Sequence, residues 1–133
     1  MDWITDKIAI GNFVDATNCD LLKEHAFRSI LCLDCTIPPP KLEGIKRHVV
    51  HLTDEPCNQL ENFMRAVTTL EQLVQTSSPV FLHCYAGRSR SVIVLAAYFM
   101  RSTGCSPQDA IAKVAAKRLI SITTGVEQLL HHI

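Results

Sequence analysis

At 133 residues with 47% apolar side chains, the chain can form one domain with a sizeable core, and its length excludes a second. Thirteen Lys and Arg residues offset thirteen Asp and Glu, so whole-molecule charge gives no indication of nucleic-acid or membrane binding. Any attraction for anions must be local.

The six cysteines lack the spacing of a secreted disulfide framework. The start, Met1-Asp2-Trp3-Ile4-Thr5-Asp6, has no basic segment leading into an apolar one. A reducing cytoplasm without a signal peptide is the expectation. The longest apolar run, residues 92–100, falls far short of the ~20 residues needed to cross a bilayer and reads as a buried helix.

In chain order, the first predicted strand covers residues 7–10 and ends at Gly11. The second covers 29–33 and ends at Asp34. Pro38, Pro39 and Pro40 mark a stiff loop. A third strand is expected over 48–52, ending at Thr53 and Asp54. Leu60, Phe63, Met64, Val67, Leu70 and Val74 then recur at helical spacing, which predicts an amphipathic helix over about 58–76. The fourth strand, residues 80–83, delivers Cys84. Ser106, Pro107 and Asp109 form a helix start, with a capping hydroxyl, a first-turn proline and an early carboxylate. Strands alternating with helices predict an α/β fold whose largely parallel sheet carries helices on both faces. In such sheets ligands sit outside the carboxyl ends of the strands, so Asp34, Asp54 and Cys84 are expected to share one rim.

The segment His83-Cys84-Tyr85-Ala86-Gly87-Arg88-Ser89-Arg90-Ser91 carries the chemistry. Five residues separate Cys84 from Arg90, the span of one tight loop opening onto a helix. Backbone N–H groups converging at a helix start form an anion site. A cysteine attacks only as thiolate, and a helix N-terminus beside arginine favours that form. The planar fork of Arg90 can clasp two phosphoryl oxygens, which lysine cannot copy. Gly87 suits a position needing positive φ or close backbone approach.

On these residues the chain resembles the cysteine-dependent protein tyrosine phosphatases. His-Cys-x-Ala-Gly-x-Ser-Arg-Ser running into Ala96-Ala97-Tyr98-Phe99-Met100 is similar to their dual-specificity subgroup. The resemblance covers nearly the whole chain and implies a single catalytic domain, 1–133. It implies Cys84 as nucleophile forming a phosphocysteine, Arg90 as oxyanion clamp, and Ser91 as the hydroxyl that eases departure of the sulfur. His83 would brace the loop and help keep the thiol ionised. Amides from Tyr85, Ala86, Gly87, Arg88, Ser89 and Arg90 would hold the phosphate. The general acid implied by the resemblance is Asp54, thirty residues before Cys84, with Glu55 as competitor. No cofactor or metal is implied. Cys32 and Cys35 lack a second pair at zinc spacing.

Two positions depart from the subgroup. Ala86 stands where several relatives carry a loop acid, so support for Arg90 must come from elsewhere. Thr123 stands where an asparagine helps to place water. The expected partner is a phosphorylated protein or peptide bearing phosphotyrosine, phosphoserine or phosphothreonine. Arg88 at the pocket mouth is the one pointer to a phosphoinositide, an inositol phosphate or an RNA 5′ end as the alternative. A silent phosphate-binding module is the reading from another class, and a sulfur transferase would not need Asp54. Nucleic acid is not expected as a partner, and a monomer is. Cys57 is either a small apolar filler or a redox partner of Cys84. Residues 38–47, 54–58 and 120–125 are expected to form the pocket rim.

Overall fold

The structure is a computed structural model that describes residues 1–34, 36, 41–56 and 59–133. Five strands form one sheet: β1 (Asp2–Trp3), β2 (Ile8–Gly11), β3 (Ser29–Cys32), β4 (Lys46–Val49) and β5 (Val80–His83). Their spatial order is β1-β2-β5-β3-β4, antiparallel only between β1 and β2. The largely parallel α/β sheet expected from the sequence is therefore present. β5 is central, flanked by β2 and β3, and each of its four residues is buried.

Alternation along the strands divides the core into two layers. The register places Ala9, Phe81 and Ile30 in one row, and that row packs with Ala16, Leu22 and Phe27 beneath the short helices α1 (Phe13–Thr17) and α2 (Cys19–Glu24). The adjacent row, Ile10, Leu82 and Leu31, faces the opposite layer. That layer contains α3 (Leu60–Thr76), α4 (Arg90–Thr103), α5 (Pro107–Ala115) and a C-terminal 3-10 helix (Val126–His132). Phe63, Ala66, Val67, Leu70, Leu73 and Val74 bury one face of α3, as the helical periodicity requires. α4 is apolar over most of its circumference because it lies between the sheet and α3, α5 and the 3-10 helix. Gly104 ends it in a left-handed conformation and donates its N–H to the Met100 carbonyl.

The third strand is displaced from its expected position. Pairing with β3 begins at Lys46 and ends as regular ladder at Val49, rather than covering 48–52. Val50 and Leu52 still donate to the Cys32 and Leu33 carbonyls, and their side chains are buried. The apolar pattern thus marked where the chain turns into the core, while the ladder itself runs along an exposed, charged edge. β1, α1, α2 and the 3-10 helix are additions to the expected elements. α1 is closed by reciprocal bonds between Asn12 and Asp15. Cys35, residues 37–40, Cys57 and Asn58 lie outside the described residues, and with them the stiff loop, the Cys32–Cys35 spacing, the redox role of Cys57 and the expected helix start at 58.

The cap at α5 matches expectation: the Ser106 hydroxyl accepts from the Asp109 N–H at 3.1 Å, with Pro107 in the first turn. Ser106→Ala should lower stability by about 1 kcal/mol in urea unfolding. An unchanged midpoint would show that α5 is held by packing alone.

Candidate active site

Parallel β2, β5, β3 and β4 place their carboxyl ends along one rim, and the loop after β5 lies there. Its carbonyls are engaged from outside in sequence. Tyr85 O accepts from Phe13 N (2.9 Å), Ala86 O and Gly87 O accept from Arg118 Nη2 and Nε (3.3 and 2.6 Å), and Arg88 O accepts from Ser121 N (2.9 Å). In a trans peptide the carbonyl and the following N–H point in opposite directions. Turning four successive carbonyls outward therefore turns the N–H groups of Ala86, Gly87, Arg88 and Ser89 inward. Gly87 has φ +68°, and a Cβ there would collide with the Gly11 carbonyl and the Arg118 guanidinium, so both expectations for this glycine hold.

Cys84 is buried at the base of this ring, with its Sγ 3.1 Å from the Ser91 hydroxyl. α4 starts at Arg90. Its N-cap, Ser89, makes no side-chain capping bond. The Ser89 hydroxyl instead donates to Asp54 Oδ1 at 2.6 Å and accepts from the Thr123 N–H at 3.1 Å. The Thr123 hydroxyl donates to Asp54 Oδ2 at 2.7 Å. Both carboxylate oxygens of Asp54 are thus aimed by hydroxyls, and Thr123 bonds Asp54 directly.

Asp54, Cys84, Tyr85, Ala86, Arg88, Ser89, Arg90, Ser121 and Thr123 line a cavity of about 330 Å³. Glu55 lines a different one, of about 240 Å³, between Pro56, Gln59 and the 3-10 helix. Of the expected rim segments, the 120–125 stretch and Asp54 reach the Cys84 cavity. Residues 41–47 instead border a separate depression. Tyr85 is half exposed at the mouth, with its ring stacked on Phe13 (centroids 4.4 Å apart).

Arg90 is held from two sides. Its Nη1 donates to Leu52 O at 3.0 Å and its Nη2 to Asp34 Oδ2 at 3.3 Å, while its buried Nε has no partner among the described residues. The support that Ala86 does not supply therefore comes from the ends of two neighbouring strands. Burial by itself would push the Asp34 carboxyl up. The Thr36 hydroxyl and N–H, together with the Arg90 charge, outweigh burial and hold it below 3.8.

His83 lies behind the loop, buried and stacked on Phe81, with Nδ1 3.3 Å from the Cys84 carbonyl. Burial lowers its pKa below 6.5, more than the Cys84 carbonyl and the charges of Asp34 and Asp15 oppose, and Arg47 adds to the lowering. The ring is neutral at pH 7, so it supplies no cationic charge to the thiol.

Arg118 was not singled out by the sequence. It lies 31 residues beyond Gly87, with no motif around it, yet it joins two loop carbonyls to Asp2 (Nη1 to Oδ2, 2.9 Å). The sequence predicts Asp34 on the rim but not its tie to Arg90. Only the loss of a loop acid at Ala86 signalled that such a partner was needed.

A buried thiol beneath inward amides and a fixed guanidinium can bind a tetrahedral oxyanion, with a carboxyl group and a hydroxyl at hand for proton transfer. Residues 8–132 match the family model for the dual specificity phosphatase catalytic domain, and the chain belongs to that family. It is 28% identical over 116 residues to Dual specificity protein phosphatase 1B of Arabidopsis thaliana, covering 86% of this chain and 70% of that protein. It is 32% identical over 119 residues to Dual specificity protein phosphatase 22 of Mus musculus, covering 89% and 64%. The chain thus spans about two thirds of the length of these relatives. The solved structure of human DUSP28 superposes with a TM-score of 0.88 at 22% identity, over 99% of this chain and 94% of that one, and shares its fold. The described residues contain no helix long and apolar enough to cross a membrane.

The lowered pKa of His83 carries a stability consequence. Below pH 6.5 the unfolded chain takes up a proton that the folded chain resists, so stability is full above that value and falls as pH drops through it. The thermal midpoint should decline from pH 7 to pH 5, and His83→Gln should flatten that decline. The same slope in the variant would assign the acid sensitivity to another group.

Proposed function

We propose that residues 1–133 form one catalytic domain that hydrolyses phosphate monoesters on phosphoproteins, at tyrosine and at serine or threonine, through a phosphocysteine. The observation that carries this reading is the Cys84 thiol, 3.1 Å from the Ser91 hydroxyl, beneath amides that the outward-bound carbonyls aim inward.

In the first step the Cys84 thiolate attacks phosphorus and forms an S–P bond as the bond from phosphorus to the substrate oxygen breaks. Asp54, in its acid form, gives its proton to that leaving oxygen. The inward amides and Arg90 hold the three equatorial oxygens as negative charge spreads over them. In the second step the Asp54 carboxylate takes a proton from the attacking water. The S–P bond breaks, phosphate leaves, and Ser91 donates a hydrogen bond to the departing sulfur. Ser89 and Thr123 aim the carboxyl in both steps.

Asp54 is favoured over Glu55 because it lines the Cys84 cavity. A monomer in the reducing cytoplasm, where the thiolate persists, completes the reading. Exposed Arg88 on the cavity wall also suits the phosphates of an inositol lipid, which makes a phosphoinositide the second substrate to test.

The purified protein should hydrolyse an aryl phosphate with EDTA present, be blocked by vanadate, and lose turnover in Cys84→Ser. Binding of phosphate without turnover would identify a recognition module instead. Asp54→Asn should slow substrates with poor leaving groups by roughly 10²- to 10⁴-fold while sparing activated aryl esters. An unaltered rate on an alkyl phosphate would move the acid role to Glu55. A parallel panel of phosphotyrosine peptide, phosphothreonine peptide and phosphoinositide vesicles ranks the substrates.

A further inference from the structure

Residues 84–90 contain two arginines and no carboxylate. Arg90 is a long side chain that must present its donors in one orientation, and misplacement by about 1 Å can cost on the order of a hundredfold in rate. We propose that Asp34, at the end of β3 and 56 residues away in sequence, is the positioning residue that sets the guanidinium of Arg90 for the transition state. This rests on the reading of Cys84 and Arg90 as the phosphate site.

The geometry forms a directed chain. Thr36 donates to Asp34 Oδ1 from both its N–H (2.9 Å) and its hydroxyl (2.6 Å), which leaves Oδ2 aimed at Arg90 Nη2. Leu52 O holds Nη1. A guanidinium is planar, so fixing Nη1 and Nη2 fixes the direction of Nε, the donor that is buried without a partner among the described residues. The Nε edge is then the edge left for two phosphoryl oxygens. Asp34 and Arg90 are only 10% and 12% exposed in their side chains, so the pair is desolvated and each group has reason to stay where the other holds it. The Thr36 donors and Arg90 keep Asp34 ionised at neutral pH against the effect of burial.

The contact is 3.3 Å, long for a charge-assisted bond, which is consistent with orientation rather than capture. A carboxylate beside an anion site could instead compete with the anion for the arginine. The two roles predict opposite signs. A positioning residue, once removed, weakens binding of the transition-state shape most. A competitor, once removed, tightens binding of every anion.

The test compares wild type with Asp34→Asn and Thr36→Val, measuring kcat, KM, thermal midpoint, and the affinities of orthovanadate and inorganic phosphate by calorimetry. The expected result for Asp34→Asn is a fall in kcat of about 10- to 100-fold, a matching loss of vanadate affinity, and a change in phosphate affinity of under about threefold. Thr36→Val keeps the charge but loosens its aim, and should show the same pattern at a few-fold scale even if Asp34→Asn folds poorly. Tighter phosphate and vanadate binding in either variant, or unchanged kcat and vanadate affinity in both, would overturn the proposal. A wild-type chain with no turnover would count against the phosphatase reading alone, because the ratio of vanadate to phosphate affinity still decides the role of Asp34.

Discussion

The outward engagement of four successive carbonyls, Tyr85 through Arg88, is the constraint on which the site depends. A loop of six residues left to itself would spread its amides and carbonyls in all directions. Here Phe13, Arg118 and Ser121 occupy the carbonyls, and the planarity of the peptide does the rest. The amides then converge without any side chain having to reach into the cavity. The N-terminus of α4 adds its positive end to the same point. Gly87 is required because the backbones of this loop and of Gly11 approach too closely for a Cβ.

A second consequence follows from the use of Ser89. Its hydroxyl would ordinarily cap the helix, but it is bound to Asp54 and to the Thr123 N–H. The loop carrying Cys84, the segment carrying Asp54 and the segment before the 3-10 helix are therefore joined through one hydroxyl. Thr123 closes the arrangement on the other oxygen of Asp54. Hydroxyls can donate or accept as a neighbouring carboxyl gains or loses its proton, which suits the acid and base roles proposed for Asp54.

The central motif was legible because it is local. Cys84, Arg90 and Ser91 lie within eight consecutive residues, and the alternation of strands and helices around them reads directly from hydrophobic period. The buried rows on β5 and the apolar face of α3 appear in the structure as the pattern requires. Elements without a period were not legible. β1 is two residues long, α1 and α2 are a turn or so each, and the ladder of β4 runs along charged residues that carry no burial signal. Asp34 and Arg118 were hidden for a different reason: each acts on a partner more than thirty residues away.

Sequence alone determined the fold class, the identity of the anion loop and the position of Asp54 as a carboxyl following a strand. Those properties follow from local spacing and hydrophobic period, where side-chain chemistry and backbone geometry are coupled over a few residues. Only the tertiary structure decided what holds the loop in this shape. Asp34 on Arg90, Arg118 on the loop carbonyls, and Thr123 on Asp54 are contacts between distant segments brought together by the fold, and no local period encodes which of many polar residues will meet there.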